Sequence, residues 1–467
     1  MSTDAAAAAQ SEIATFLASH PQVRFFDVFL NDLNTVERGK RIDRAGIERI
    51  YQGGMLLPGS MFALDVEGGT IESTGLGFDD GDADRPCRPI PGTLWPVPWQ
   101  PDGAIAQLQV SMFEPDGRAF FGDPRHVLAR VLEKFQRLNL RPVVALEYEF
   151  YLVDRERDAA GQPQPPRSPE TGRREFRTQI NSMTDLNEYS TLLAEIDSAC
   201  RAQGIPTTTA LAEYGPGQYE VNLQHHDDVL AACDEALRFK RVVKSIARGR
   251  GCEATFLAKP YRDMAGSGLH LHVSLQDAGG RNIFECDDPS QCADLRHAVA
   301  GLLDTLGEGT LICAPGPNSY RRFRPEAYVP MTPSWSVNNR GSAIRIPVSD
   351  RRNRRIEHRL AGADANPYLV MAWVLAGIHR GLSRGAEPPP PVSGNAYRQT
   401  EASDGASLEP LPTHWAAAVP RFRASGLAHE YLGKPFTELF ATVKQGELDE
   451  FNSWITPLEI ARYLGPI

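Results

Sequence analysis

Four short stretches of this 467-residue chain carry reactive side chains in repeating arrangements. Glu147 and Glu149 stand in ALEYEFYLV, His270 and His272 in GSGLHLHVSL, and Glu357 and Arg359 in RRIEHRL. Glu213 and Glu220 bracket the Gly-Pro-Gly turn of EYGPGQYE, so they converge from its two sides. Side chains alternate across a strand, so each i, i+2 pair points to one face. In ALEYEFYLV the apolar Leu146, Tyr148 and Phe150 take the other face. Two carboxylates ~4 Å apart repel by roughly 4 kcal/mol at an effective dielectric of about 20. Singly, each feature has an ordinary explanation: a solvated edge, a hydrogen-bonded core histidine, a cross-strand salt bridge. Together they argue for one cavity holding five carboxylates and a histidine. Such a cluster needs compensation in low dielectric. A hard divalent cation, magnesium or manganese, is the simplest partner.

Ten arginines follow between Arg321 and Arg359. Some are surface charge, yet arginine is also what clamps carboxylate and phosphate bidentately. Acids for metal plus arginines for phosphate make the kit of phosphoryl transfer. There is no GxxxxGK[ST] and no GxGxxG, so a nucleotide would enter a different kind of site.

ALEYEFYLV, GPGQYEVNL, TFLAKPY, GSGLHLHVSL, SAIRIPV and RRIEHRL read as strands. Helices are expected over HVLARVLEKFQRL behind Asp123-Pro124, near Ser190 to Gln203, after Asp227-Asp228, and from Asn366 to Arg384. Residues 1–20 read as a short helix or tail. Residues 21–115 read as a small, mostly β domain with strands in VRFFDVFLNDLN, GKRI, MFALDV and AIAQLQVSMF. Its loop Phe78 to Asp84 is acidic, and a solvated turn is the weightier reading. Residues 120–467 read as one large domain, in which strands interspersed with helices across about 123–384 argue α/β or α+β. Pro388 to Pro391 marks an exposed connector.

The formal charge of -10 and a pI near 5.6 argue against nucleic-acid binding. Seven scattered cysteines without CxxC spacing suggest free thiols in a reducing compartment. No run approaches ~20 apolar residues and the N-terminus lacks signal-peptide features, so a cytoplasmic protein is expected, without membrane partners.

The stretches EYEF, EYGPGQYE, GSGLHLHVSL, NSYRR, NNRGSAIRIP, RRIEHR and ANPYL resemble the glutamine synthetase family, in its order and spacing, over nearly the whole chain. The resemblance implies an N-terminal β-grasp domain and a catalytic half-barrel of antiparallel strands with surrounding helices. It implies a homo-oligomeric ring, a dodecamer of two stacked hexamers, with sites between neighbours. One metal would sit on Glu149, Glu213 and Glu220, another on Glu147, His270 and Glu357. Two or three magnesium or manganese ions per site are implied, with ATP as co-substrate. L-Glutamate would meet Gly266, Arg321 and Arg359. ATP would meet His272, Ser274, Arg340, Arg345 and Arg355. Glu149, Glu220, Arg340 and Arg345 would be catalytic, serving attack of glutamate on the γ-phosphate and capture of the acyl phosphate by an amine.

Two departures fall on the amine half. Where glutamine synthetases have Asp-Gly-Ser-Ser, this chain has Ile71-Glu72-Ser73-Thr74; where they have a flap Glu, it has Tyr328, with Glu326 two residues away. An acceptor larger than ammonia is implied. NSYRRFRP, SWSVNNR and AGADANPYLVMA look most like γ-glutamylpolyamine synthetases, particularly the γ-glutamylputrescine type. Tyr328, Trp335 and Glu326 are candidates for the amine pocket, the rings by apolar contact and cation–π attraction; core packing is the other reading of Trp335. The base for the amine falls among Glu149, Glu220 and Glu326. The alternatives are another acceptor, such as ethanolamine, a monoamine or ammonia, and an inactive structural ring. Tyr397 lies in NAYRQT, where some relatives carry a modifiable Tyr before Asp-Leu-Pro; that tripeptide is missing, so adenylylation is not expected.

Overall fold

The computed structural model describes residues 3–100, 102–398 and 409–467, the first eight of them by backbone alone. Met1 and Ser2 of the expected N-terminal tail, and Gln399 and Thr400 of NAYRQT, lie outside the described residues. The tail itself is a helix, Thr3–Ser19.

The first sheet contains β1 (Phe25–Asn31), β2 (Glu37–Asp43), β3 (Met55–Pro58), β4 (Asp84–Pro89), β5 (Trp95–Pro96) and β6 (Ile105–Met112). Its order is β2-β1-β6-β4-β3, with β5 also on β6. β1 and β2 make a hairpin, the helix Ile47–Gly53 follows, and β1 lies parallel to β6 at the centre. This is the β-grasp arrangement that the resemblance implied. MFALDV is not a strand: a 3-10 turn, Gly59–Phe62, leads into one isolated bridge, Leu64 to Thr70. β3 and β4 take its place, and β4 reads DRPCRP, whose two prolines hide it. In the acidic loop, Asp80 accepts from Gly77 N and Asp82 N and pairs with Arg85 at 3.1 Å, so its charge is already answered.

The second sheet contains β7 (Arg141–Asp154), β8 (Thr207–Ala212), β9 (Gln218–Leu223), β10 (Cys252–Thr255), β11 (Leu269–Gln276), β12 (Trp335–Val337), β13 (Ile344–Ile346) and β14 (Ile356–His358). Its order is β12-β13-β14-β11-β7-β9-β8, and β10 pairs with the far end of β7. TFLAKPY contributes only Thr255 to a strand; the rest is irregular. The rear face of β7 presents Tyr148 and Phe150 to Phe239 and Phe256. Phe239 belongs to the helix Val229–Gly249, which Asp228 opens by accepting from Leu230 N and Ala231 N. Asp227 does not share the cap and pairs with Arg141 instead.

The two sheets share one continuous apolar core. Asp123, N-cap of the helix Pro124–Arg137, accepts from Ser111 Oγ and Met112 N of β6. Arg241 reaches from the long helix to Asp27 and Glu37 of the first sheet. The helix Pro367–Arg384 is buried, as its composition suggested, and packs against Ala293–Thr305 through glycines. A Cβ on Gly301 would lie 2.1 Å from Gly377 O. All seven cysteines are free thiols. Among the described residues, no helix is long and apolar enough to cross a membrane.

Candidate active site

Pairing register gathers the reactive residues. Residues directly opposite on antiparallel strands share a face. Arg345 faces Glu357, Glu357 faces His272, His270 faces Glu147, and Glu149 faces Glu220. The result is one band of charge across β13, β14, β11, β7 and β9. Glu213 joins it from the turn after β8, where Gln218 accepts from Gly215 N and closes the Gly-Pro-Gly loop.

The band is polarised. At its cationic end Glu357 is ion-paired with Arg345 (2.5 Å) and Arg359. Burial opposes its ionisation, but Arg359, both histidines and Arg345 pull its pKa down to about 2. Burial also opposes ionisation of Glu147; the neighbouring His270 and His272 overcome it and hold this carboxyl well below its usual range. Arg355 Nε donates to His272 Nδ1 (3.2 Å), which leaves Nε2 as the donor to Glu147 at 2.8 Å. At the other end, burial and then the Glu149 charge push Glu213 up to about 7. Burial, then Glu147, Glu149 and Glu213, push Glu220 up to about 9. Among the described residues, neither Glu213 nor Glu220 has a cationic hydrogen-bond partner: Glu213 accepts from Tyr214 N and Glu220 from Asn222 Nδ2.

This donor set fits divalent cations. Three groups bring one ligand atom each within 4.8 Å of one another: Glu149, Glu213 and Glu220; Glu147, Glu220 and His270; and Glu147, His272 and Glu357. The first is the set expected from the family motifs. The other two differ from expectation, because His272 and not His270 stands opposite Glu357. His270 Nδ1 is buried without a hydrogen bond, 3.4 Å from Glu147 Oε2, and its Nε2 lies 3.8 Å from Glu149 Oε1. A buried imidazole nitrogen left over among carboxylates is what a cation would satisfy.

The match to known proteins follows this geometry. Residues 121–463 match the family model described as glutamine synthetase, catalytic domain. The chain belongs to the glutamine synthetase family. Over 449 residues it is 41% identical to Gamma-glutamylputrescine synthetase PuuA of Escherichia coli (strain K12), spanning 96% of this chain and 93% of that one. It is 30% identical over 438 residues to a Glutamate–isopropylamine ligase of Pseudomonas sp, spanning 93% of each. A solved GmaS/ADP complex superposes with a TM-score of 0.82 at 26% identity, covering 97% of this chain and 99% of that one.

The remaining synthetase positions divide. Ser274 follows His272 on β11 at the same-face spacing and is half-buried. Arg340 is exposed; its carbonyl accepts from Arg359 Nε, and its charge bears on Glu213. A Cβ on Gly266 would strike Arg322 Cγ at 2.8 Å and Ala258 O at 2.9 Å, so only glycine fits. Gly268 N donates to Glu149 Oε2 (2.9 Å), and Gln218 Nε2 donates to Gly266 O. Arg321 is not in the site. It lines a separate cavity with Tyr320, Phe323, Arg324, His414 and Trp415. Its neighbour Arg322 is buried beside Gly266, Gly268 and the Glu149 charge. Reading the sequence missed Arg322 and Gln218. No sequence signal marked Arg322; it faces inward because in the 3-10 turn Ser319–Arg322 residues three apart share a face. Ser319 points inward to Asp364, and Arg322 follows it.

Of the residues expected at the amine, Tyr328 is 67% exposed and Trp335 only 3%. Trp335 is therefore a packing residue and not an open wall; its indole donates to Pro389 O. Glu326 is exposed, and both it and Tyr328 adopt positive φ, 63° and 54°. Each such backbone costs on the order of 1–3 kcal/mol and clusters at functional loops. Glu72 accepts from Phe78 N, and Ile71 packs on Gly446.

Proposed function

We propose that this synthetase-family chain is an ATP-dependent ligase joining the γ-carboxyl of L-glutamate to an amino group of putrescine or another polyamine. One observation carries the reading. The polarised band of acids, histidines and arginines is intact, while the acid positions expected of an ammonia-using site hold Ile71 and Tyr328. The 41% identity to a protein named for γ-glutamylputrescine synthesis supports the same acceptor.

In this reading a γ-carboxylate oxygen attacks the γ-phosphorus of ATP and ADP leaves. The amine nitrogen then attacks the acyl carbon, loses a proton, and phosphate leaves. Arg340, Arg345 and Arg355 hold phosphate oxygens and answer the charge of the transferring group. Arg322 and Arg359 orient glutamate. Magnesium or manganese on Glu147, Glu149, Glu213, Glu220, Glu357 and the paired histidines would neutralise charge between nucleotide and glutamate. An alkylammonium with pKa ~10 must shed a proton before attack. Glu149, Glu220 and Glu326 are the carboxylates from which its acceptor comes. A homo-oligomeric ring, a dodecamer of two stacked hexamers in a reducing cytoplasm, completes the reading; the exposed apolar C-terminal segment and the free thiols support it.

The test is glutamate-dependent phosphate release from ATP with putrescine, ethanolamine, isopropylamine and ammonia, each with magnesium or manganese. Putrescine is expected to give the highest kcat/KM. Release with ammonia but not putrescine would overturn the acceptor. No release with any amine would favour an inactive ring.

A further inference from the structure

The segment from Glu387 to Tyr397 runs as an irregular strap along β12 and the loops beside it. Among the described residues, four hydrogen bonds fasten it. Trp335 Nε1 donates to Pro389 O (2.6 Å), and Val392 N to Trp335 O (2.8 Å). Asn339 Nδ2 donates to Gly394 O (2.7 Å), and Tyr397 Oη to Val329 O (3.2 Å). The end of the strap reaches the site. A Cβ on Gly341, next to Arg340, would lie 3.9 Å from the Tyr397 ring, and the Arg359 charge bears on the phenol.

The loop gripped by Tyr397 carries Glu326 and Tyr328, two non-glycine residues with left-handed backbone. Such conformations persist only where neighbours over-determine them. Among the described residues, the Tyr397 hydroxyl makes the one side-chain hydrogen bond to residues 325–330. Its phenol is half-buried, so the bond is sheltered from competing water.

We propose that Tyr397 is a positioning residue: its hydroxyl holds the Glu326–Val329 loop over the amine half of the site and thereby sets amine affinity. The inference rests on the ligase reading above and adds a residue to it. Tyr397→Phe removes the hydroxyl and keeps the ring. With the full chain, KM is measured separately for putrescine, glutamate and ATP, alongside the thermal midpoint. Loss of one hydrogen bond is expected to raise KM for putrescine about 3- to 10-fold. KM for glutamate and ATP should stay within about twofold and the midpoint should be unchanged, a split that a general packing role does not produce. If all three KM values stay within about twofold, or only kcat falls, the positioning role is wrong and the ligase reading stands. If the unaltered protein releases no phosphate with any amine, the ligase reading fails and this inference falls with it.

Discussion

Arg321 and Arg322 are adjacent and chemically identical, yet only Arg322 faces the acids. The turn that separates them predicts opposite behaviour on substitution. Arg322→Lys keeps the charge and loses the planar fork, so KM for glutamate should rise at least about tenfold. Arg321→Ala should leave that KM within about twofold; equal effects would remove Arg322 from the site. The acids and histidines were legible because strand alternation is rigid: two residues apart means one face. Arg322 was not, because nothing in NSYRR announces a 3-10 turn, and Trp335 was not, because an aromatic residue suits a core as well as a pocket. Protonation supplies a second test. Folding raises the pKa of Glu213 to about 7 and of Glu220 to about 9, from a starting value of 4.5. Their native state prefers the proton, so their contribution to stability is lost as pH rises from 4.5 through those values. Glu147 and Glu357 are lowered and lose their contribution only in acid, outside that interval. Lys240 works the other way, because burial lowers its pKa from 10.5 to about 7 and its stabilising share grows over the same interval. The carboxylates' part is therefore read as a difference: in the metal-free protein Glu220→Gln should shift the change in thermal midpoint between about pH 6.5 and about pH 8.5 upward. Added magnesium or manganese competes with the same protons, so its stabilising shift should be larger at the higher pH. Equal shifts at both pH values, read by thermal scanning, would count against cation binding at these carboxylates.

At the scale of elements, two aspartates begin helices in different surroundings. Asp228 caps Val229–Gly249 from an exposed position, where water can replace it. Asp123 is buried and accepts three bonds: from Arg125 N, Ser111 Oγ and Met112 N, the last two from β6. Asp228→Ala should cost about 1 kcal/mol, an ordinary cap. Asp123→Ala also strands two buried donors and should cost roughly 2–4 kcal/mol. Thermal scanning should therefore rank Asp123→Ala well below Asp228→Ala; the reverse order would mean that Asp123 does not tie the two sheets together. Both helix starts were readable, since Asp-Pro and Asp-Asp before an apolar period are strong signals. The strands of the first sheet were half readable. β1 is rich in aromatic and β-branched residues and β6 alternates apolar residues from Ala106, whereas β4 owes its place to its neighbours β3 and β6, against its own prolines. MFALDV has the composition of a strand and finds only one bridge, because the Pro58-Gly59 entry bends the chain into a 3-10 turn.

At the scale of the molecule, the segment from Phe451 onward is exposed along its whole length. Thr456 and Glu459 cap the helix Pro457–Tyr463 reciprocally, yet no residue from Phe451 onward is buried. Trp454 is 69% exposed, Leu464 74% and Ile467 97%. A helix of seven residues is marginal alone even when well capped. A run of exposed large apolar residues marks an interaction surface. Both facts have one resolution if the segment docks on another copy of the chain, as a ring of stacked subunits would require. Deleting residues 454–467 opens no core, because none of them covers one, so the sheets should form normally by circular dichroism. The particle mass measured by analytical ultracentrifugation should fall to that of a smaller assembly. A mass reduced only in proportion to the missing residues would mean that the exposed apolar run does not hold the proposed ring together.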